Sequence, residues 1–174
     1  MPEFISLSSV HCDGWGVATF DHNSNESHLT RAPEIAQSSL TFQETISKTR
    51  TDGALLHLRW ATSGIPVSEN NTHPFISHGF SFTHNGAIYP ATALDSAISQ
   101  KFKSEIHGDT DSERYFYFIL TQIENLGGEG ILLNTSFNIK GKPILTTMRD
   151  AFEVLEQTKL NGFVHNNLYY TKEV

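Results

Sequence analysis

The sequence predicts an α+β layered domain, and three observations carry that prediction. Short β-rich runs alternate with segments of helical spacing. A helix begins at a capping-box pattern, Thr110-Asp111-Ser112-Glu113. No internal repeat, heptad array or low-complexity tract points to another architecture. The composition agrees: of 174 residues, 38% are hydrophobic and 18% charged, as in a globular chain able to bury a core. Twelve Lys and Arg against 19 Asp and Glu leave a net charge of -7, which argues against a chain built to grip nucleic-acid phosphates. No apolar run approaches the roughly 20 residues of a membrane span. The start MPEFISLSSVHC has no secretory pattern. A lone Cys12 cannot form an internal disulfide, so a cytoplasmic location is expected.

Taken in order, residues 14–20 (GWGVATF) are β-rich, DHNSNES is a turn cluster, and residues 28–32 are read as the returning strand. Residues 38–49 carry Leu40, Phe42 and Ile46 at helical spacing. Residues 54–61 (ALLHLRWA) look like a buried strand ending in a polar turn, followed by a long loop, TSGIPVSENNTHPF, of the kind that holds ligands. Residues 79–83 form a short strand, expected near the 54–61 strand in one sheet; His84-Asn85-Gly86 turns the chain, and 91–102 reads as helix. The helix over 115–125 is expected to bury Phe116, Ile119 and Ile123, and Gly127-Gly128 stops it. A strand at 131–133 and a turn at 140–143 follow. Thr147 caps a last helix with Met148, Ala151, Phe152 and Leu155 on one face, and 162–165 and 168–170 close as β segments.

Four patches carry the chemistry: HCDGWGVATF, LLHLRWATSG, NTHPF with FTHNGAI, and GDTDSER. In this order they resemble the class II glutamine amidotransferases of the N-terminal-nucleophile hydrolase superfamily, over residues 13–128. The resemblance implies a layered αββα domain, here partial, with a small β/α appendage behind it. It also implies release of ammonia from glutamine or a γ-glutamyl amide by an amino-terminal Cys whose α-amine is the base. The resemblance makes Asn85 and Gly86 an oxyanion hole, where the bare sequence also allows a short hairpin turn. Arg59 would hold the substrate carboxylate in bidentate fashion, with Thr62 adding a hydroxyl; a surface ion pair is the plainer alternative. Asp111 would receive the α-ammonium, or merely favour the helix start. His73 matches a loop position near the substrate, although a lone His is more often structural. Trp15 and Trp60 read as core or pocket wall. Nine His without an HExxH motif or a Cys/His cluster give no metal site and no cofactor. The partners implied are a glutamine-like small molecule and a synthase or acceptor protein, with no nucleic acid and no membrane.

Two departures stand out. The family's nucleophile follows the initiator Met, but position 2 is Pro and the only cysteine is Cys12. Cys12 becomes the nucleophile only if residues 1–11 are removed, and it directly precedes the stretch matching the family's second strand; a small apolar residue at a strand edge is the plainer reading. The other departure is downstream. ILLNTSFN, GKPI and the segment after them resemble the carboxy-terminal tail of nodulation- or antibiotic-type carbamoyltransferases. The expected organisation is therefore an amidotransferase-like domain over 1–128, truncated at its amino end, joined to a carbamoyltransferase-like segment over 130–174. The functional expectation is a glutaminase-type domain, inactive without its nucleophile. The alternatives are a non-catalytic glutamine-binding module or a carbamoyltransferase-associated fragment.

Overall fold

The computed structural model describes residues 1–21, 26–51, 53–127 and 147–172. The chain divides into two compact units, Met1–Gly130 and Ile131–Val174. The predicted 131–133 strand, the 140–143 turn and the centre of the DHNSNES turn lie outside the described residues.

In the first unit, α1 (Pro2–Ser6) and a 3-10 turn (Leu7–Ser9) lead into β1 (Trp15–Asp21). β1 is the middle of a three-stranded antiparallel sheet, between β2 (Glu26–Ala32) and β3 (Gly53–Leu58). Trp15 faces Ala32 on one side and Leu58 on the other. Side chains alternate across a strand, so Trp15 and Val17 enter one core with Phe42 of α2 (Leu40–Lys48), joined by Phe4, Ile5 and Ile46. Ser39 caps α2 by accepting from the Phe42 amide at 3.0 Å. Leu40, expected on the buried face, is 75% exposed; it stands at the first helical position, before the apolar stripe of Phe42 and Ile46 begins.

Gly16 points from the opposite face of β1. A Cβ there would lie 2.0 Å from the His73 carbonyl oxygen, so only glycine lets the His73-Pro74 segment cross β1 this closely. That segment continues into a separate two-stranded ribbon, β4 (Phe75–Ser77) paired with β5 (Phe80–Phe82). The expectation that the 54–61 and 79–83 strands share a sheet is thus corrected. β3 takes β1 as its partner and β5 takes β4, because the Gly79 turn (φ +79) returns the chain at once on itself.

The expected 91–102 helix is also corrected. It breaks into a 3-10 turn (Asp95–Ala97) and a four-residue α3 (Gln100–Lys103). Between them Ile98 is extended (ψ 133) and only 3% exposed: burying it in the core wins over a stretch rich in Ser, Thr and Asp, which compete with helical backbone bonds. α4 (Asp111–Leu126) covers the ribbon and ends at Gly127 in the left-handed conformation. Phe116, Tyr117 and Leu120 are buried with Phe75, Ile98 and Phe102, while Ile123 packs at the margin and Ile119 is only half-buried. The apolar face therefore runs through i, i+1 and i+4, not through Phe116 and Ile119. Only half of the capping box forms. The Thr110 hydroxyl accepts from the Glu113 amide, but the Glu113 carboxylate reaches back to the His107 and Gly108 amides at 3.0 and 2.7 Å.

In the second unit, Thr147 and Asp150 form a complete capping box at the start of α5 (Met148–Gln157). β6 (Gly162–His165) and β7 (Leu168–Thr171) pair through Asn166 and Asn167, both at positive φ, as a two-residue hairpin requires. Phe152, Phe163 and Tyr170 pack their rings at centroid distances of 4.9–5.5 Å. Among the described residues, no helix is long and apolar enough to cross a membrane.

Candidate active site

β3 delivers the first element of the site. Beyond Leu58 the ladder to the 13–14 segment continues: Arg59 N–H donates to the Gly14 carbonyl (2.8 Å) and Asp13 N–H to the Arg59 carbonyl (3.0 Å). The Asp13 carboxylate accepts from the Ala61 amide at 2.8 Å, fixing the RWAT corner. Arg59 is thereby drawn inward and is 3% exposed. Its Nη2 donates to the Pro66 carbonyl at 3.2 Å, but its buried Nη1 has no partner among the described residues. This is not a surface ion pair. Burial lowers the guanidinium from its ordinary value, with nearby Asp13 opposing; a buried cation with an unmade hydrogen bond is a costly arrangement unless a ligand completes it.

Arg59 opens onto a cavity of about 340 Å³. Thr62, His73, Asn85, Gly86 and Asp111 line the same cavity. Six of the seven residues singled out in the sequence thus converge on one space, although their strands occupy different sheets.

The 84–88 segment is held from two sides. Asp111, buried at the start of α4, accepts from the Ile88 amide at 2.6 Å through Oδ2. His84 Nδ1 lies 3.0 Å from Ser112 Oγ, and His57 Nε2 on β3 lies 3.0 Å from Asn85 Oδ1. Asn85-Gly86 is not a hairpin turn. No strand stands between it and α4, and Gly86 does not adopt a positive φ. A Cβ at Gly86 would meet His84 Nε2 at 2.6 Å, so any side chain there displaces the His84 ring.

His57 and His73 form the cavity's inner wall, their ring centroids 4.4 Å apart. His73 is buried with neither ring nitrogen partnered among the described residues, and Phe75 packs on its edge at 4.7 Å. Burial pushes His73 well below the ordinary histidine value, with positive charge on His57, His84 and the arginines acting the same way. Burial also lowers His57, with the Asn85 contact opposing. Both rings are therefore neutral near pH 7. Trp60, 68% exposed, stands at the rim with His11 edge-on at 5.9 Å, whereas Trp15 is wholly buried against Phe42. Among the described residues, no group of three His, Cys, Asp or Glu side chains is disposed to hold a metal ion.

Cys12 is the exception among the candidates. It is exposed and does not line the cavity, and its Sγ lies 3.9 Å from Asp13 Oδ1. The sequence motifs assign no role to His57, His84 or Ser112, which also line the cavity. For His57 a signal existed: it lies two residues before Arg59, and strand periodicity puts i and i+2 on one face. His84 stood inside the FTHNGAI patch but drew no role.

Comparison with known proteins shows the family. The family model of class-II glutamine amidotransferases matches residues 5–139. The probable glutamine amidotransferase DUG3 of Saccharomyces cerevisiae is 32% identical over 123 residues, covering 66% of this chain and 34% of that protein. A glutamine–fructose-6-phosphate aminotransferase (isomerizing) of Francisella tularensis is 32% identical over 104 residues, covering 58% of this chain and 16% of that protein. A solved glutamine aminotransferase class-II domain protein from Silicibacter pomeroyi superposes with a TM-score of 0.53 at 28% identity, covering 64% of this chain and 49% of that one. The chain thus spans about a third or less of these curated relatives. With the match running through most of the first unit and on to residue 139, the chain belongs to the class-II glutamine amidotransferases.

Proposed function

We propose that the cavity binds glutamine, or the γ-glutamyl amide of a larger metabolite, in the orientation that amide hydrolysis requires. Arg59 takes the α-carboxylate, with the Thr62 hydroxyl beside it. Asp111, one oxygen already committed to Ile88, offers the other to the α-ammonium. The Asn85 amide and the Gly86 N–H face the γ-carbonyl, and His73 closes the inner wall. The observation that carries this reading is the buried Arg59 guanidinium with its unpartnered Nη1, in one cavity with Asp111, Asn85 and Gly86. A carboxylate supplies the missing acceptor in the planar geometry that guanidinium favours. Hydrolysis in this family proceeds by thiolate attack on the amide carbon, giving a tetrahedral oxyanion. Collapse breaks the C–N bond, ammonia leaves with a proton, and water cleaves the thioester to glutamate.

In this family recognition and turnover fall to different groups. The pocket residues are assembled, but Cys12 is exposed and outside the cavity, which favours a glutamine-binding module without turnover of its own. The layered αββα arrangement, the boundary near residues 128–130, the carbamoyltransferase-like tail, a cytoplasmic location and a synthase or acceptor partner belong to the same reading. Ammonia release from glutamine, combined with amino-terminal sequencing of the purified protein, tests it. No ammonia is expected; turnover that Cys12→Ser abolishes, from a protein beginning at Cys12, would make Cys12 the nucleophile.

A further inference from the structure

We propose that His57 is a positioning residue that fixes which end of the Asn85 amide faces the cavity. The inference rests on the reading of Asn85 as the donor toward the substrate carbonyl. An asparagine amide has an acceptor end and a donor end of nearly the same shape. Turned one way it stabilises an oxyanion; turned the other it repels one. Asn85 sits in an exposed loop position, and Gly86 beside it supplies no side chain to make the choice. The choice comes from β3.

His57 is 7% exposed, and its Nε2 stands 3.0 Å from Asn85 Oδ1. A carbonyl oxygen only accepts, so that contact requires the proton on Nε2. His57 Nδ1 is buried with no partner among the described residues, so none of them competes there to hold the proton. The groups facing the ring are themselves basic or neutral: His11, Arg59, His73 and His84. They disfavour a second proton, which leaves one neutral tautomer. Asn85 Oδ1 is then occupied, and its Nδ2, without a protein hydrogen bond among the described residues, is left as the donor toward the cavity. The His73 ring, tilted by 36° against it at 4.4 Å, confines the imidazole, so two buried rings in contact anchor an otherwise exposed loop. A flipped amide would put Nδ2–H against a ring nitrogen stripped of its proton, and would move that proton to a buried Nδ1 with no acceptor.

The proton location is directly measurable. Long-range ¹H–¹⁵N correlation of the histidine rings at pH 7.5 should show His57 protonated at Nε2 and bare at Nδ1. The reverse tautomer, or a charged ring, would overturn the inference whatever the ligand behaviour. Two variants supply the functional arm: His57→Phe keeps the ring and loses the donor, whereas His57→Gln keeps an N–H donor at similar reach. Glutamine affinity by calorimetry should fall roughly five- to tenfold in His57→Phe, the weight of one hydrogen bond, and recover most of that loss in His57→Gln. Equal losses in both variants would make His57 merely structural and overturn the inference. If the unmodified chain with the Nε2–H tautomer binds no glutamine, the failure lies in the proposed function beneath it.

Discussion

Two uncharged histidines buried at the inner wall of the cavity should make the fold acid-sensitive well above the carboxylate range. His57 and His73 are both lowered below the ordinary histidine value by burial. Their unfolded-state value is near 6.5. Because the folded values are depressed, the unfolded chain takes up protons first as pH falls. The stability these groups permit is therefore complete above about 6.5 and is lost on acidification toward the folded values. One histidine that stays neutral in the fold costs about 1.4 kcal/mol between pH 7.5 and 5.5; two would cost about 2.7. Glu105, held below the usual carboxylate value by His78, acts in a lower window. The perturbation is His73→Phe, which preserves an aromatic ring between His57 and Phe75 and removes the titration. Urea unfolding followed by tryptophan fluorescence at both pH values gives the two losses; Trp15, wholly buried, reports the transition. The unmodified chain should lose more than the variant over this interval, by up to about 1.4 kcal/mol. Equal losses, or a chain that gains stability in acid, would refute the placement of an uncharged His73 in the core.

Phe116→Ala should cost about 3–5 kcal/mol, because the ring is 2% exposed and packed with Phe75, Ile98 and Phe102; chemical denaturation reads it, and a loss below about 1 kcal/mol would make α4 peripheral. Gly16→Ala should destabilise by at least the ~1–3 kcal/mol typical of overpacking, since its Cβ would lie 2.0 Å from backbone at His73; the same denaturation series tests it, and a neutral result would mean that the His73-Pro74 segment does not cross β1. Gly86→Ala should leave global stability within about 0.5 kcal/mol, yet weaken glutamine binding by displacing the His84 ring within the 84–88 segment. Unchanged affinity in a calorimetric titration would detach that loop from the site.

What the sequence disclosed followed from locality. Hairpin β1–β2, the Thr110 cap, the Gly127 stop and the Thr147 capping box are set by neighbours within a few residues, and each stands where composition and spacing put it. The motifs also gathered Arg59, Asn85, Gly86 and Asp111 into one cavity. What the sequence hid was non-local. Nothing in residues 79–83 reveals that β5 pairs with β4 and not with β3, because partner choice depends on where the His73-Pro74 crossing over Gly16 deposits the chain. Ile98 interrupts a plausible helix since the core needs its side chain more than the helix needs its backbone bonds. Tyr117 and Leu120 displace Ile119 from the buried face because the ribbon's aromatic residues fix the helix's rotation. Glu113 abandons the capping box for the His107 and Gly108 amides, which only the folded loop brings within reach.

The central claim is that Arg59 is a buried cation awaiting a carboxylate, and calorimetric titration of L-glutamine into the unmodified chain and into Arg59→Ala tests it most directly. One guanidinium and one carboxylate holding the amino-acid end should give an affinity of millimolar order, about -4 kcal/mol. Arg59→Ala should abolish the heat of binding while the cavity's other residues remain. Glutamine binding of equal strength in both proteins would contradict the account.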